Sequence, residues 1–281
     1  MNEIIQPTLP DPAARRTPRH VKQNAVYCNV QKLSVIIPCY NEAGTIAVLL
    51  DKVTEVILPG NIEKEIIVIN DCSKDDTELM IQEYMEDNPG VTLTYIRHSH
   101  NLGKGAAVQS GIEVATGDYI LIQDADLEYN PREYALLLEP ILSGNADVVY
   151  GSRFMGGNPH RILFFWHTIG NKLLTFISNL FTNMNLSDAH TCYKVIRTST
   201  IRELGLQEKR FAVDAELNVK VARIPGIRVY EVGISYYGRT FAEGKKIRFR
   251  DAARSIYCLV KYTLSHQAPA SAKVRIESSK Q

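Results

Sequence analysis

The run Gln123-Asp124-Ala125-Asp126-Leu127-Glu128 sets three carboxylates within five residues. Alternate residues just past a strand share a parity, so Asp124 and Asp126 can converge on one hard cation with Glu128 nearby. Such a D-x-D cluster suits Mg²⁺ or Mn²⁺ bridging a diphosphate, although an isolated one serves equally as a turn former or helix cap. Two further loops favour the metal reading. Pro38-Cys39-Tyr40-Asn41-Glu42 and Asn70-Asp71-Cys72-Ser73 also follow apolar runs and also carry a carboxylate. Asp71 can hydrogen-bond a base or ribose, or cap the helix after it. In Asn101-Leu102-Gly103-Lys104-Gly105-Ala106 a cation stands between two glycines at a helix start, which fits an anionic ligand approached closely by backbone, or plain turn chemistry.

These loops share one edge only if the elements alternate. Short β-branched or apolar runs predict strands at Leu33 to Ile37, Glu65 to Ile69, Thr92 to Arg97, Tyr119 to Ile122 and Asp147 to Tyr150. Helical spacing predicts helices at Thr45 to Val56, Asp75 to Asp87, Lys104 to Ala115 and Pro131 to Leu142. Alternation of this kind demands right-handed crossovers and a largely parallel sheet, whose ligands bind beyond the carboxyl ends of the strands. The polar clusters sit at those ends.

The 281 residues, 45% hydrophobic and 22% charged, suit one large α/β domain with tails, and a net charge of +1 gives no global field for nucleic acid. The five cysteines form no CxxC pair, which points to reduced thiols in a cytoplasmic protein and away from zinc. Residues 1–32, rich in proline and basic side chains, are expected to be a disordered tail, as are the polar residues from Gln267. Arg161 to Phe181 is the most apolar stretch, but His167, Asn171, Lys172 and Asn179 interrupt it, so no transmembrane helix is expected. Its apolar residues follow a helical period and suit either a helix packed on the sheet or one lying in a membrane interface.

SVIIPCYNE, VINDCSKDDT, NLGKGAAVQSGIEVATGDYILIQDADLE and VVYGSRF, in that order, resemble the core of family 2 glycosyltransferases, closest to the dolichol-phosphate mannose synthase-like group. The resemblance spans Leu33 to about Arg250. It implies an α/β GT-A fold, a Rossmann-like three-layer sandwich with a mostly parallel sheet and amphipathic C-terminal helices. It also implies a catalytic domain over 33–235 and a basic amphipathic segment and tail over 236–281.

Carried over by position, Pro38, Tyr40, Glu42, Asp71, Lys104 and Asp124 would bind the nucleotide, and Asp124, Asp126 and Glu128 would surround Mg²⁺ or Mn²⁺. Glu128 stands where relatives commonly have Gln. Arg153 matches a phosphate-binding arginine, and Arg239 with Lys246 a second cationic group, so these three would hold an acceptor phosphate. Asp188, in Asp188-Ala189-His190-Thr191-Cys192-Tyr193-Lys194, matches the family's D-x-x-S-G-F-[RK] element, from which Cys192 departs. Asp126, Arg153, Asp188 and Arg239 are thus the expected catalytic set.

The implied partners are a UDP- or GDP-linked nucleotide sugar and a polyprenyl phosphate at the cytoplasmic face of a membrane, with no nucleic acid. Anchoring would fall to interface helices or to a membrane anchor protein. Six basic residues between Arg239 and Arg254 suit a lipid phosphate or a solvated helix face. At the start of a further helix, Asp214 and Glu216 suit its positive end, and Glu216 could also orient an acceptor-side cation. A phosphate monoester, largely anionic at neutral pH, needs no strong base. A glycan hydroxyl would need one, with Asp188 or Asp214 the candidates. A non-catalytic nucleotide-binding subunit is the third alternative, opposed by the intact Asp124, Asp126 and Arg153.

Overall fold

The computed structural model describes residues 30–156, 159, 161, 165–239 and 249–265, apart from the side chains at 167 and 249. Most of the expected N-terminal tail, the residues from 266 onward, and Lys245, Lys246 and Arg248 lie outside the described residues.

The first half alternates as its patterning requires. β1 (Lys32–Cys39), β2 (Glu63–Asn70), β3 (Leu93–Arg97), β4 (Tyr119–Ile122) and β5 (Val148–Ser152) are separated by α1 (Ile46–Glu55), α2 (Thr77–Asp87), α3 (Lys104–Val114) and α4 (Tyr134–Leu142). Val35, Ile36, Ile37, Ile67, Val68 and Leu121 are buried, as expected of strands covered on both faces by helices. The helix predicted from Pro131 opens instead as a separate 3₁₀ turn, Pro131–Glu133, capped by Asn130 Oδ1 accepting from the Arg132 N–H.

The second half adds α5 (Phe165–Thr182), β6 (Lys194–Arg197), α6 (Thr198–Leu204), α7 (Val213–Ala222), β7 (Val229–Gly233) and α8 (Phe249–Leu264). Seven strands form one sheet in the order β3-β2-β1-β4-β6-β5-β7, parallel except for β6, which is antiparallel to β4 and β5. β1 leads to β2 and β3 on one side, while β4 lies on its other side. The order therefore reverses between β1 and β4, and the loops after these two strands flank the crevice that the reversal leaves.

α7 and α8 share a small core of Ala212, Ala215, Val219, Cys258, Leu259 and Tyr262, against which Ile177 and Phe181 of α5 pack. The rest of α5 faces the other way. Its buried side chains include Thr175, Ser178 and Thr182, while Phe165, Trp166, Ile169, Leu173, Phe176 and Leu180 are exposed, Trp166 by 77%. Between the two expectations for this segment, the structure turns most of the apolar stripe outward. Among the described residues no helix is long and apolar enough to cross a membrane.

Candidate active site

A cavity of about 640 Å³ opens beyond the carboxyl ends of β1, β2 and β4 and runs to the space between α5 and α8. Pro38, Tyr40, Glu42, Asp71, Lys104 and Asp124 line one end, and Trp166, Gly170, Asn171, Leu174, Ala252 and Ser255 the other. Asp126, Glu128, Arg153 and Arg239 line it too, so every sequence-predicted residue except Lys246, outside the described residues, and Asp188 touches this space.

Asp71 is buried and spends its carboxylate on the protein. Its oxygens accept from the N–H groups of Leu102 (2.8 Å) and Gly103 (2.7 Å), and His98 Nδ1 lies 2.7 Å away. It does not cap α2, whose first N–H, that of Thr77, donates instead to Asp75. Asp71 instead ties the end of β2 to the Asn101-Leu102-Gly103 turn. The glycines of that turn answer to protein as well. A Cβ on Gly103, whose φ is +100°, would meet the carbonyl of Lys209, and one on Gly105 would overlap that of Glu208. The close backbone approach inferred from Gly-Lys-Gly is therefore made by residues 208–210.

Lys104, at the first turn of α3, reaches Asp124 at 2.6 Å. Burial works against its charge, yet the adjacent Asp124 carboxylate more than offsets this and holds the ammonium well above its usual range. Asp126 meets Arg239 Nη2 at 3.1 Å. Burial first, then the neighbouring Asp124 and Glu128 carboxylates, push its carboxyl up to about 7 against the pull of Arg239.

Glu128 is placed differently from Asp124 and Asp126. Its oxygens accept from the Tyr236 hydroxyl at 2.8 Å and the Arg239 N–H at 2.6 Å, so it fastens the 236–239 segment to the site. Among the described residues no three His, Cys, Asp or Glu side chains are arranged to hold a metal ion. Asp124 and Asp126 nevertheless fit a hard divalent cation. Both offer carboxylate oxygens, and the repulsion that Asp124 and Glu128 add to the effect of burial on Asp126 is one that a cation would relieve. Further ligands would then be water or phosphate oxygens.

Arg153, just past β5, is locked by Asp188. Its Nε and Nη2 donate to Oδ2 and Oδ1 at 2.6 and 2.8 Å, and its backbone N–H donates to Oδ2. The ring of Tyr236 lies 5.1 Å from the guanidinium carbon. Although burial opposes its charge, Arg153 holds the Asp188 carboxyl below its usual range. Asp188 thus takes three donors from Arg153 and fixes where its guanidinium lies. Glu231 on β7, which the sequence reading missed, supports it by accepting from the N–H groups of Ser187 and Asp188.

Asp214 at the start of α7 pairs with the buried Lys194 at 2.7 Å. Glu216 does not reach an acceptor-side cation. It accepts from the N–H groups of Gln207 and Glu208 and pairs with Lys220. His190 and Cys192 also line the cavity; burial keeps the Cys192 thiol protonated, well above its usual range.

Strand-end carboxylates thus collect on both sides of the sheet reversal, in one cavity with Arg153 and Arg239, at the edge where open α/β sheets take their ligands. The sequence profile of Glycosyl transferase family 2 matches residues 34–205, and the chain belongs to that family. It is 28% identical over 235 residues to a dolichyl-phosphate beta-glucosyltransferase of Trichomonas vaginalis, covering 77% of this chain and 68% of that protein. It is 27% identical over 238 residues to the dolichol-phosphate mannosyltransferase of Pyrococcus furiosus, covering 82% of this chain and 64% of that one. Its GT-A fold is similar to that of glucosyl-3-phosphoglycerate synthase from Mycobacterium tuberculosis, solved with Mn²⁺, UDP and phosphoglyceric acid. The TM-score is 0.63 at 17% identity, over 85% of this chain and 80% of that one.

Proposed function

We propose that this protein transfers a hexose or N-acetylhexosamine from a UDP- or GDP-linked donor to a polyprenyl phosphate, with inversion, while lying on the cytoplasmic face of a membrane. The observation that carries this reading is the continuity of the cavity. It runs from the carboxylates of β1, β2 and β4 past Arg153 and Arg239 to Trp166, which both lines the cavity and belongs to the exposed apolar stripe of α5. A lipid whose chain rests against that stripe could extend its phosphate toward the arginines.

The commitments of the two candidate bases support the same acceptor. Asp188 is held by Arg153 and Asp214 by Lys194, and both carboxyls are pulled below their usual range despite burial. An acceptor that must lose a proton finds a poor base in either. A phosphate monoester, with a second pKa of about 6, arrives already ionised.

Asp124 and Asp126 would hold Mg²⁺ or Mn²⁺, which when bound would neutralise charge developing on the departing nucleoside diphosphate. Lys104 and Arg239 contribute fixed positive charge at the same place. Arg153 would orient the acceptor phosphate, and the Tyr236 ring, Tyr129 and α5 would keep water from the reacting carbon.

The test is transfer from radiolabelled nucleotide sugars to undecaprenyl or dolichyl phosphate, scored as label in the organic phase. Label in that phase, lost with EDTA, is the expected outcome. Label confined to the aqueous phase would assign a glycan acceptor instead.

A further inference from the structure

His190 lines the cavity, two residues from Asp188 on one side and from Cys192 on the other. Cys192 accepts from Lys104 Nζ at 3.7 Å, which places the nucleotide-end pair Lys104–Asp124 at one flank of this turn. Asp188 and the Arg153 it holds stand at the other. His190 Nε2 is buried and has no hydrogen-bond partner. Such a group costs free energy unless something else completes it.

The charged groups around the ring are already engaged. Asp188 is taken by Arg153, and Asp214 by Lys194. Burial holds the imidazole below its ordinary range, against the pull of Asp214 and Asp188, so it brings no full positive charge to a phosphate at pH 7. A neutral imidazole offers one N–H and one lone pair, the complement of an alcohol.

We propose that His190 is a specificity-determining residue that pairs with a hydroxyl or acetamido group of the transferred sugar. The inference rests on the reading given under Proposed function, in which donor and acceptor phosphates occupy the two ends of the cavity. The sugar must then lie between Lys104–Asp124 and Arg153, the two groups that flank the turn carrying His190. A pocket built to hydrogen-bond a substrate group rejects analogues that leave its own polar atom unpaired, far more strongly than an apolar pocket can.

Calorimetric titration decides the matter. UDP and GDP, and their glucose, mannose and N-acetylglucosamine derivatives, are titrated with Mg²⁺ present into the wild-type protein, His190→Ala and His190→Gln. The expected result is diphosphate affinity within about twofold of wild type in both variants. The ratio of sugar-nucleotide to diphosphate affinity should fall about tenfold or more in His190→Ala and be partly retained in His190→Gln. Equal losses for diphosphate and sugar nucleotide would overturn the assignment. So would an unchanged ratio with a lowered Tm, the signature of a buried water serving His190 and the similarly unpartnered Thr191 Oγ1. A wild-type protein that binds no nucleotide sugar would instead remove the functional reading on which the assignment stands.

Discussion

Arg239 and Glu42, 197 residues apart, meet through a two-pronged contact in which Nη1 and Nη2 donate to the two carboxylate oxygens, each at 3.1 Å. The same guanidinium reaches Asp126 at 3.1 Å, and the Arg239 backbone N–H donates to Glu128. One residue from the C-terminal part of the chain thus gathers carboxylates from the loops after β1 and β4 into a single network. Glu42 is itself held in place, its backbone N–H donating to Thr77 Oγ1 at 2.8 Å.

The fork geometry is the testable part of this network. Arg239→Lys keeps the charge but cannot donate in parallel to both oxygens of Glu42. Its kcat should fall about 10²-fold, with KM for the donor within a few-fold of wild type. Steady-state kinetics with a labelled nucleotide sugar checks this; full activity would show that charge alone suffices.

Asp126 provides a pH dependence with a defined sign. Its carboxyl titrates at about 7 in the folded protein, against 3.8 for a free side chain. A value raised by folding means that the contribution of this group to stability is fully present below 3.8 and is lost as the pH rises through about 7. Asp126→Asn cannot ionise, so its gain in Tm over wild type, without metal, should grow between about pH 4 and 7 and then level off. Each 1 kcal/mol corresponds to roughly 2–4 °C at this size. Adding Mg²⁺ or Mn²⁺ at pH 8 should raise the Tm of the wild type and leave Asp126→Asn unmoved, as read by differential scanning fluorimetry.

Asp188→Asn separates a positioning carboxylate from a base. Removing the charge strands the buried Arg153 guanidinium, at a cost of about 3–5 kcal/mol by the general experience with broken buried pairs. Activity should drop with Arg153 misplaced, yet the residual rate should follow the pH profile of the wild type. A residual rate that climbs tenfold per pH unit would instead identify a lost base.

The outward stripe of α5 should govern membrane binding. Replacing Trp166, Phe176 and Leu180 together by Ser removes large exposed apolar side chains without touching the α7–α8 core. Co-sedimentation with phosphatidylglycerol vesicles should weaken by about tenfold or more, given about 25 cal/mol per Å² of apolar surface. Unchanged partitioning would move the membrane contact elsewhere on the surface.

Glu208 fastens α8 to the loop before α7, accepting from Arg254, Lys261 and Tyr262. Against the upward push of burial, these donors pull its carboxyl from 4.5 down to about 2. A lowered value contributes stability at neutral pH that is lost as the pH falls from about 4.5 toward 2. Trp166, the sole tryptophan, lines the same cavity as Ala252 and Ser255 of α8, so its emission should report loosening over that range. Glu208→Gln should show the loosened signal already at neutral pH.

Much of the nucleotide end was legible in the sequence because it follows from local rules. β-Branched runs of four to eight residues closed by proline or polar loops can only be buried strands, and parallel crossovers then place Glu42, Asp71, Asp124 and Asp126 at one edge. The second half was less legible for physical reasons. β6 is four residues long and begins with Lys194, buried there with Asp214, 20 residues on, and the carbonyl of Thr191 as its partners. Glu231 stands between Tyr230 and Val232 in β7, and its role appears only once Ser187 and Asp188 are folded above it.

The sequence by itself determined the α/β alternation, the edge at which the carboxylates collect, and the helical character of residues 165–182. Each is set by side chains a few positions apart, within reach of a single strand or helix. Tertiary structure alone decided how those side chains are spent. It gave Asp71 to a turn, Glu128 to Tyr236 and Arg239, Asp188 to Arg153 and the two glycines to the carbonyls of residues 208 and 209. It also decided that α5 turns most of its apolar stripe outward. Such pairings join residues far apart in the chain, and buried charges and backbone contacts choose partners by proximity in the folded core, which no periodicity records.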